Sequence, residues 1–438
     1  MSKGSGQPAW LGHLGSVLFV VLLVLLAWQA STRSVDFPVY HRTAQQLLAG
    51  DYELYPPQVY TSEPIPPHGF RYLPIVAWLF VPFGLLPLPV AAFVFYLLKL
   101  MALAWTARAL VLAPAIASPL GLLPTGGPGA DDAAARRVAI IALLVVAGYA
   151  AEELRYGNAH LLVVALMVFA WTRTSRGETW LPGAALGLAI AAKITPLALL
   201  GYFALRRKFA ACAATLIALA LLLAAPMVIV GGQTNAHLLK GFVRYALEKT
   251  EESDNYSLRG ALHRLLAPAS EVAAGSATLP TTVRLDQGEQ SMAITLTADR
   301  ESVAWMLLAG LIGIVSLAVL WRASADPIVY LLEFSIVLVL MLIVSPHTQR
   351  RYFMQLYVPV LVLLAVMQGG DARERAWARA GIVATAAAGT VLPLVFGGRT
   401  LSHAYESAAP YLWAAVVLLA VLLEITWRKK RSEIRDSK

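Results

Sequence analysis

The residues best suited to chemistry lie in short polar segments between long apolar runs. Asp36 follows the first apolar run, residues 14–30, within a few positions. If that run crosses a membrane, the carboxylate sits at the membrane surface with one dry side and one wet side, which suits a general base. Asp36 could instead cap a short helix that begins at Phe37, with Pro38 in its first turn. Composition alone leaves both roles open, and the cap is the commoner of the two.

Positively charged side chains form a second group of candidates. Lys193 lies in the middle of an apolar run, where a charge is expensive and is a functional candidate by default. Snorkelling to an interface fits poorly there, because both ends of the run are distant. Arg71, His347, Arg350 and Arg351 lie beside other apolar runs. Fixed cations favour a phosphate ligand, although the two neighbouring arginines could equally be ordinary residues of a surface loop.

Neutral polar and aromatic side chains accompany these charges. Tyr40, Tyr55 and Tyr72 fit an aromatic belt at the membrane interface, which is the expected role. Aromatic rings beside a carboxylate also suit stacking on a sugar. Asn158 and His160 follow the segment EELRYG at a helix end on the same predicted side as Asp36, and we expect them to contact a substrate.

Composition defines the elements that must position these residues. Of the 438 residues, 58% are hydrophobic and 14% are charged, well below the ~25% charged fraction of soluble domains. This excludes a disordered chain, a coiled coil and an ordinary soluble enzyme. Successive apolar runs predict an all-α polytopic membrane protein with about 10–12 transmembrane helices. A net charge of +9 is attributed to cytoplasmic loops rather than to nucleic-acid binding, and one cysteine allows no intrachain disulfide.

Basic residues set the predicted orientation. The arginine- and lysine-rich loops near 173–176, 206–208 and 373–379 are assigned to the cytoplasm, as is the basic tail 428–438. We therefore predict a single integral membrane domain, residues 1–438.

The first extracytoplasmic loop, 31–72, is predicted to be catalytic, and the second covers 232–302. From Ser257 onward the second loop is amphipathic, which fits a helix lying on the membrane surface, although a plain surface helix is equally compatible. The run 182–204 must start and end inside, so two half-helices are expected with Lys193 at their tip. Around 73–112 the number of crossings does not fit the assigned sides unless 73–84 lies in the membrane interface or 111–124 makes a short extra pass.

Several familiar catalytic motifs do not occur. The sequence contains no Walker A loop, no H-E-x-x-H and no G-x-S-x-G, which argues against an ATP-driven pump and against zinc proteases and hydrolases of those types. The outer segments contain no D-x-D pair, so the sequence offers no positive argument for a metal.

The order of the remaining motifs resembles a known family. D-F-x-V-Y and A-G-x-x-x-L-Y follow the first run, and Y-L-P opens a helix. Further along come G-N-x-x-L-L, G-x-A-x-A-x-K-x-T-P-L, N-x-S-L-x-G and a late S-P. From Asp36 to Pro359 the chain resembles the polyprenol-phosphate-mannose-dependent mannosyltransferases of glycosyltransferase family 87, which have the GT-C membrane architecture.

The resemblance implies an inverting transferase that uses a lipid-phosphate sugar at the extracytoplasmic face. By position, Asp36 matches the family's base, which deprotonates the acceptor hydroxyl, and Lys193 matches its K-x-T-P lysine. Gly157 with Asn158 matches a polar pair, and the N-x-S-L motif matches Asn255, Ser257 and Leu258. The chain departs from the family after the late S-P, where a Trp and paired His are usual and this sequence reads SPHTQRRYF.

The resemblance implies a polyprenyl-phosphate-sugar-dependent hexosyltransferase, expected to be an α-mannosyltransferase, in a bacterial inner membrane. The residues themselves leave another hexose or a pentose open as the sugar. Its partners would be the lipid-linked donor, a glycolipid or glycan acceptor and membrane lipids, without nucleic acid, cofactor or metal. The predicted site consists of the base Asp36, the donor-phosphate ligands Arg71, Lys193, His347, Arg350 and Arg351, and the substrate ligands Tyr40, Tyr72, Asn158, His160, Asn255, Ser257 and Arg259. A polytopic transporter or lipid flippase is the alternative, since it also needs many spans, broken helices and buried charge. It is disfavoured because no internal repeat is evident.

Overall fold

A computed structural model describes residues 28, 32–60, 69–117, 130–247, 255–266, 300–395 and 408–436. The predicted first span, 14–30, lies outside the described residues except for Trp28. Residues 248–254 and 267–299 of the second predicted outer loop also lie outside them.

Regular structure in the described residues is entirely helical. The first half contains α1 Phe37–Leu48, α2 Pro74–Leu79, α3 Val81–Gly84, α4 Leu88–Val111, α5 Pro114–Ala117, α6 Ala130–Val145, α7 Ala147–Tyr156, α8 His160–Ser175, α9 Trp180–Ala192 and α10 Leu197–Leu205. The second half contains α11 Phe209–Ala224, α12 Met227–Val230, α13 Gly232–Leu247, α14 Leu258–Leu266, α15 Arg300–Leu320, α16 Pro327–Val344, α17 Tyr357–Gly369, α18 Ala372–Ala386, α19 Leu392–Val395 and α20 Pro410–Asp436. Pro57–Tyr60 and Arg350–Leu356 are 3-10 helices, and Ala387–Val391 is a π-helical turn between α18 and α19.

Seven helical segments among the described residues are long and apolar enough to cross a membrane: Leu88–Val111, Phe209–Val230, Ser302–Leu320, Pro327–Val344, Arg350–Gly369, Ala372–Val395 and Pro410–Arg435. An eighth is formed if α7 and α8 are counted as one bent span. Helices dominate because a spanning segment must satisfy its backbone hydrogen bonds internally. The prediction of an all-α polytopic membrane protein is confirmed. The total of 10–12 spans stays a prediction, since residues 14–30 are outside the described part.

The run 182–204 is broken where the sequence predicted a break. α9 ends at Ala192, Lys193 is extended (φ −159°, ψ 129°), and α10 begins after Pro196. Gly183 of α9 lies against Ala214 of α11, and one turn further along each helix Gly187 lies against Ala218. α9 and α11 therefore run parallel. Because only three residues join α10 to the start of α11, α10 returns along the bundle in the direction opposite to α9, while α9 packs directly on α11. The prediction of two half-helices with Lys193 at the tip is confirmed.

The segment 73–84 does not cross the bundle. Its two helices contain six and four residues, which at about 1.5 Å per residue span roughly 9 and 6 Å. Both pack on α1, and the Gly84 backbone lies close to Ala44. Of the two predicted arrangements, the structure supports the one in which 73–84 is a short segment that does not span the bundle.

Segments predicted to be cytoplasmic lie together at one end of the helical bundle. Arg206, in the loop after α10, pairs with Glu333 of α16, and Lys430 of α20 lies 2.6 Å from the same carboxylate. Lys429 lies 3.4 Å from Glu374 of α18. Two predicted cytoplasmic loops and the C-terminal helix thus meet at one end, and Asp36 lies at the other.

Candidate active site

Asp36 presents its carboxylate to the end of the bundle. It occupies the N-cap position of α1, which begins at Phe37 as predicted, but its side chain makes no capping hydrogen bond. Instead Oδ2 accepts a 2.7 Å hydrogen bond from Asn158 Nδ2 and lies 3.4 Å from Arg351 Nη2. The capping role is therefore wrong. With its side chain 21% exposed, Asp36 is held in place and still accessible to a substrate.

The turn between α7 and α8 positions this carboxylate. Gly157 adopts the left-handed conformation (φ 66°, ψ 30°), and the chain direction changes by 118° between the two helices. The Tyr156 carbonyl accepts a 2.7 Å hydrogen bond from the Asp36 backbone N–H. Asn158 Oδ1 accepts from the backbone N–H of His160 at the start of α8, which orients the amide so that its N–H faces Asp36. One turn therefore fixes both the backbone and the side chain of Asp36.

Three tyrosines form the wall behind Asp36. The hydroxyls of Tyr40 and Tyr72 are 2.7 Å apart, and Asn158 Nδ2 lies 3.4 Å from each. Tyr55 donates to the Tyr72 carbonyl at 2.6 Å. The aromatic-belt role is wrong for Tyr40 and Tyr55, which are 3% and 2% exposed. Burial, and next the Asp36 charge, raise the pKa of Tyr72 to about 12, so its hydroxyl stays neutral at physiological pH.

A small polar cleft lies next to this wall. His160 Nε2 is 3.0 Å from the Tyr352 carbonyl, and His160 Nδ1 is 3.3 Å from Lys193 Nζ. Lys193 also lies over the Tyr352 ring. His347 lines the same cleft. Because Tyr352 follows Arg351 directly, the cleft and the Asp36 carboxylate share one segment of backbone.

The predicted donor-phosphate ligands are not one cluster. Lys193 and His347 line the cleft, and Arg351 lies beside Asp36 and 4.2 Å from the Tyr156 ring centroid. Arg71 packs on the ring of Tyr245 in α13, and Arg350 packs on the ring of Tyr411 in α20, each at 5.2 Å. The geometry therefore favours Lys193, His347 and Arg351 as phosphate ligands over Arg71 and Arg350.

The N-x-S-L motif joins helix α14 to the segment after α16. Asn255 Nδ2 and Ser257 Oγ both donate to the Pro346 carbonyl, at 3.0 and 3.1 Å. Asn255 Oδ1 accepts from the Thr348 backbone N–H. Ser257 is fully buried, and these hydrogen bonds make both residues part of the support for the segment after α16. Arg259 lies 6.0 Å from the Trp305 ring on the neighbouring span. Substrate contact by Asn255, Ser257 and Arg259 stays a prediction.

Two buried residues near the turn were not singled out by the sequence analysis. Lys99 lies at the middle of α4 and forms an ion pair with Glu153 of α7 at 3.1 Å, with side-chain exposures of 0% and 1%. The criterion that identified Lys193, an ionisable residue in the centre of an apolar run, also applies to Lys99. Glu153 was recognised only as part of a polar segment, because nothing in the sequence indicates its partner.

The described residues contain no group of three or more His, Cys, Asp or Glu side chains that could hold a metal ion. The ligands gathered around Asp36 are an amide, a guanidinium and phenols, which are donors to anions rather than a metal-binding set.

One comparison with known proteins gives a match. The sequence model of the family described as "Glycosyltransferase family 87" matches residues 70–346, which is more than half of the chain. That range includes Asn158, His160, Lys193 and the N-x-S-L motif, and Asp36 precedes it. No curated protein and no solved structure matches the chain.

Proposed function

The chain belongs to glycosyltransferase family 87 and is a membrane glycosyltransferase, and from this premise we propose that it transfers mannose from a polyprenyl-phosphate donor to an acceptor hydroxyl with inversion. Asp36 is the general base. The acceptor is a glycolipid or a glycan, and the reaction takes place at the extracytoplasmic face of a bacterial inner membrane.

The observation that carries the proposal is the position of Asp36. A partly exposed carboxylate is held by Asn158 beside a cleft that contains Lys193 and His347. A general base must reach the acceptor proton while cations remain close to the developing phosphate charge. The arrangement suits both requirements, because Arg351 lies beside Asp36 and the next residue, Tyr352, lines the cleft.

The proposed reaction forms one bond, breaks one bond and moves one proton. The acceptor oxygen attacks the anomeric carbon of the sugar, and its proton moves to Asp36. The bond between that carbon and the phosphate oxygen breaks, and the lipid phosphate leaves with the electron pair. Lys193 and Arg351 stabilise the phosphate as it gains charge. Attack from the face opposite the leaving group gives inversion.

The step uses no protein-bound metal in this proposal, because side-chain cations neutralise the leaving phosphate. The lipid-linked sugar is the only co-substrate required. Arg71 and Arg350 act on the surrounding rings rather than on the donor phosphate.

The experiment measures transfer of label from radiolabelled polyprenyl-phosphate-mannose by purified protein in lipid, with a membrane extract as acceptor. Wild type is compared with Asp36→Asn, and both are assayed with and without EDTA. We expect transfer by the wild type, unchanged by EDTA, and a loss of at least about 100-fold in Asp36→Asn, the scale of general base catalysis.

Asp51→Asn is the matched control. Asp51 is an exposed carboxylate in the same predicted outer segment, where it accepts a hydrogen bond from the Glu53 backbone N–H, and this variant should retain activity. Near-normal transfer by folded Asp36→Asn would remove Asp36 as the base. Loss of wild-type transfer in EDTA would contradict the metal-independent step. Failure with every lipid-phosphate sugar, together with movement of labelled lipid across sealed vesicles, would favour a transporter.

A further inference from the structure

A buried ion pair lies behind the turn that carries Asn158. Lys99 Nζ is 3.1 Å from Glu153 Oε1 and also donates a 2.8 Å hydrogen bond to the Glu153 backbone carbonyl. Both side chains are removed from solvent, and the desolvation of two buried charges offsets most of their attraction. An ion pair at such a depth contributes little to stability, so its position in the fold needs another explanation.

The pair contacts both arms of the bend. Glu153 belongs to α7, before the turn. Its Oε1 accepts a 3.1 Å hydrogen bond from the backbone N–H of Leu161, in the first turn of α8. The first N–H groups of a helix have no partner within the helix, so Glu153 supplies one from across the bend. Lys99 fixes Glu153 from a third helix, α4, at both its side chain and its carbonyl.

The bend in turn controls the proposed base. Tyr156 and Asn158, which hold the Asp36 backbone and carboxylate, lie between Glu153 and Leu161 in the chain. A change in the angle between α7 and α8 would move both contacts together. A displacement of about 1 Å at a reacting group can lower a rate by about 100-fold.

We propose that Lys99 and Glu153 are positioning residues that fix the α7–α8 bend and thereby hold Asp36 in its reactive position. The assignment rests on the proposed function to the extent that Asp36 is the base. Neither residue touches the substrate, so their loss should affect the chemical step more than donor binding.

The kinetic test compares Lys99→Met and Glu153→Gln with wild type, using polyprenyl-phosphate-mannose and only the monodisperse folded fraction. The expected result is a fall in kcat of at least tenfold in each variant, with the KM for the donor within twofold of wild type. A kcat within twofold of wild type in folded Glu153→Gln would overturn the proposal.

Glu333→Gln is the matched control. Glu333 is 1% exposed and lies 2.6 Å from Lys430, but at the opposite end of the bundle. It should lose folded yield as Glu153→Gln does while its folded fraction keeps the wild-type kcat. An equal fall of kcat in both variants would mean that the Lys99–Glu153 pair supports the fold only, and the positioning role would be rejected.

A distance measurement tests the bend independently of activity. Spin labels are placed at Ala151→Cys before the bend and Arg176→Cys after α8, in a Cys212→Ser background that removes the one native cysteine. Both labelled positions are exposed. Lys99→Met should shift or broaden the distance distribution, and Glu333→Gln should not; an unchanged distribution in Lys99→Met would overturn the proposal. If the wild type transferred no sugar from any lipid phosphate, the proposed function would fail while this distance still decided whether the pair fixes the bend.

Discussion

At the scale of single residues, Asn158 is the side chain that holds the carboxylate of the proposed base. Its amide N–H donates to Asp36, and its carbonyl oxygen accepts from the His160 backbone N–H at the start of α8. Asn158→Asp would keep an acceptor for the His160 N–H but place a second carboxylate 2.7 Å from the first, where like charges repel. Asn158→Ser would keep a side-chain oxygen that can accept from the His160 N–H and would take the amide donor away from Asp36 without adding charge. We expect both to lower kcat, with the Asp variant lower by at least a further tenfold, as measured in the mannose-transfer assay. Equal activities would show that the charge at this position does not affect Asp36.

The Tyr72 hydroxyl gives a second residue-scale prediction, on stability against pH. Burial raises its pKa from 10 in the unfolded chain to about 12 in the fold. The folded state therefore favours the neutral phenol, and this contribution is complete below pH 10 and is lost as the pH rises from 10 to 12. Two pKa units correspond to roughly 2–3 kcal/mol. Tyr72→Phe should lose less stability than wild type between pH 10 and 12, as measured by thermal unfolding at the two values. An equal loss in both proteins would contradict the raised pKa.

Single residues also show what sequence alone can locate. Asp36 and Lys193 were identified because an ionisable residue in or beside an apolar run is costly, and this cost is visible without coordinates. The partners of these residues were not visible. Asn158 comes from a segment 122 positions away in the chain, and nothing local in Ser257 reveals that its hydroxyl holds Pro346. Motif membership therefore identified important residues but did not separate those near the cleft from those that support it.

At the scale of elements, the α7–α8 turn depends on glycine. Gly157 has φ +66°, and a Cβ there would lie 2.9 Å from Ser34 Cβ. Gly157→Ala should cost about 1–2 kcal/mol for the left-handed conformation alone, and the contact with the Asp36 segment should displace the base and lower transfer. Gly201→Ala is the control, because a Cβ at that helical position meets nothing within 4 Å. Unfolding temperature and specific activity are measured for both. Wild-type activity in Gly157→Ala would show that the turn tolerates displacement.

The elements differ in how far the sequence predicted them. The hairpin of α9 and α10 was predicted because Lys193 and Pro196 interrupt an apolar run that was too short for two full spans. The start of α1 at Phe37 was predicted from its proline, although the capping hydrogen bond expected from the preceding aspartate does not form. For residues 73–84 the sequence allowed two arrangements, an interfacial segment here or a short extra membrane pass further along the chain. Its packing on α1 depends on contacts such as Gly84 with Ala44, which hydropathy does not report.

At the scale of the whole molecule, the Asp36 site and the Glu333 cluster lie at opposite ends of the helical bundle. The end with Asp36 combines a carboxylate, the residues of the cleft and helix α14, which is held to the bundle through Pro346 and Thr348. The other end contains the buried cluster around Glu333, where Arg206 and Lys430 also donate to the end of α15 and its following loop. This cluster joins α15, α16, α20 and the loop after α10 at the end opposite Asp36.

The last prediction concerns which end of the bundle faces the outside of the cell. Basic loops assigned to the cytoplasm meet at the Glu333 end, which places Asp36 outside. In a Cys212→Ser background, Asp51→Cys reports the Asp36 end and Ala323→Cys, in the loop between α15 and α16, reports the other; both positions are exposed. A membrane-impermeant maleimide should label Asp51→Cys in intact cells with a permeable outer envelope, and Ala323→Cys only after the inner membrane is opened. The opposite pattern would put the Asp36 cleft in the cytoplasm. A donor whose sugar is displayed outside could not then reach it, so the proposed extracytoplasmic reaction would have to be abandoned even if transfer by the purified protein were observed.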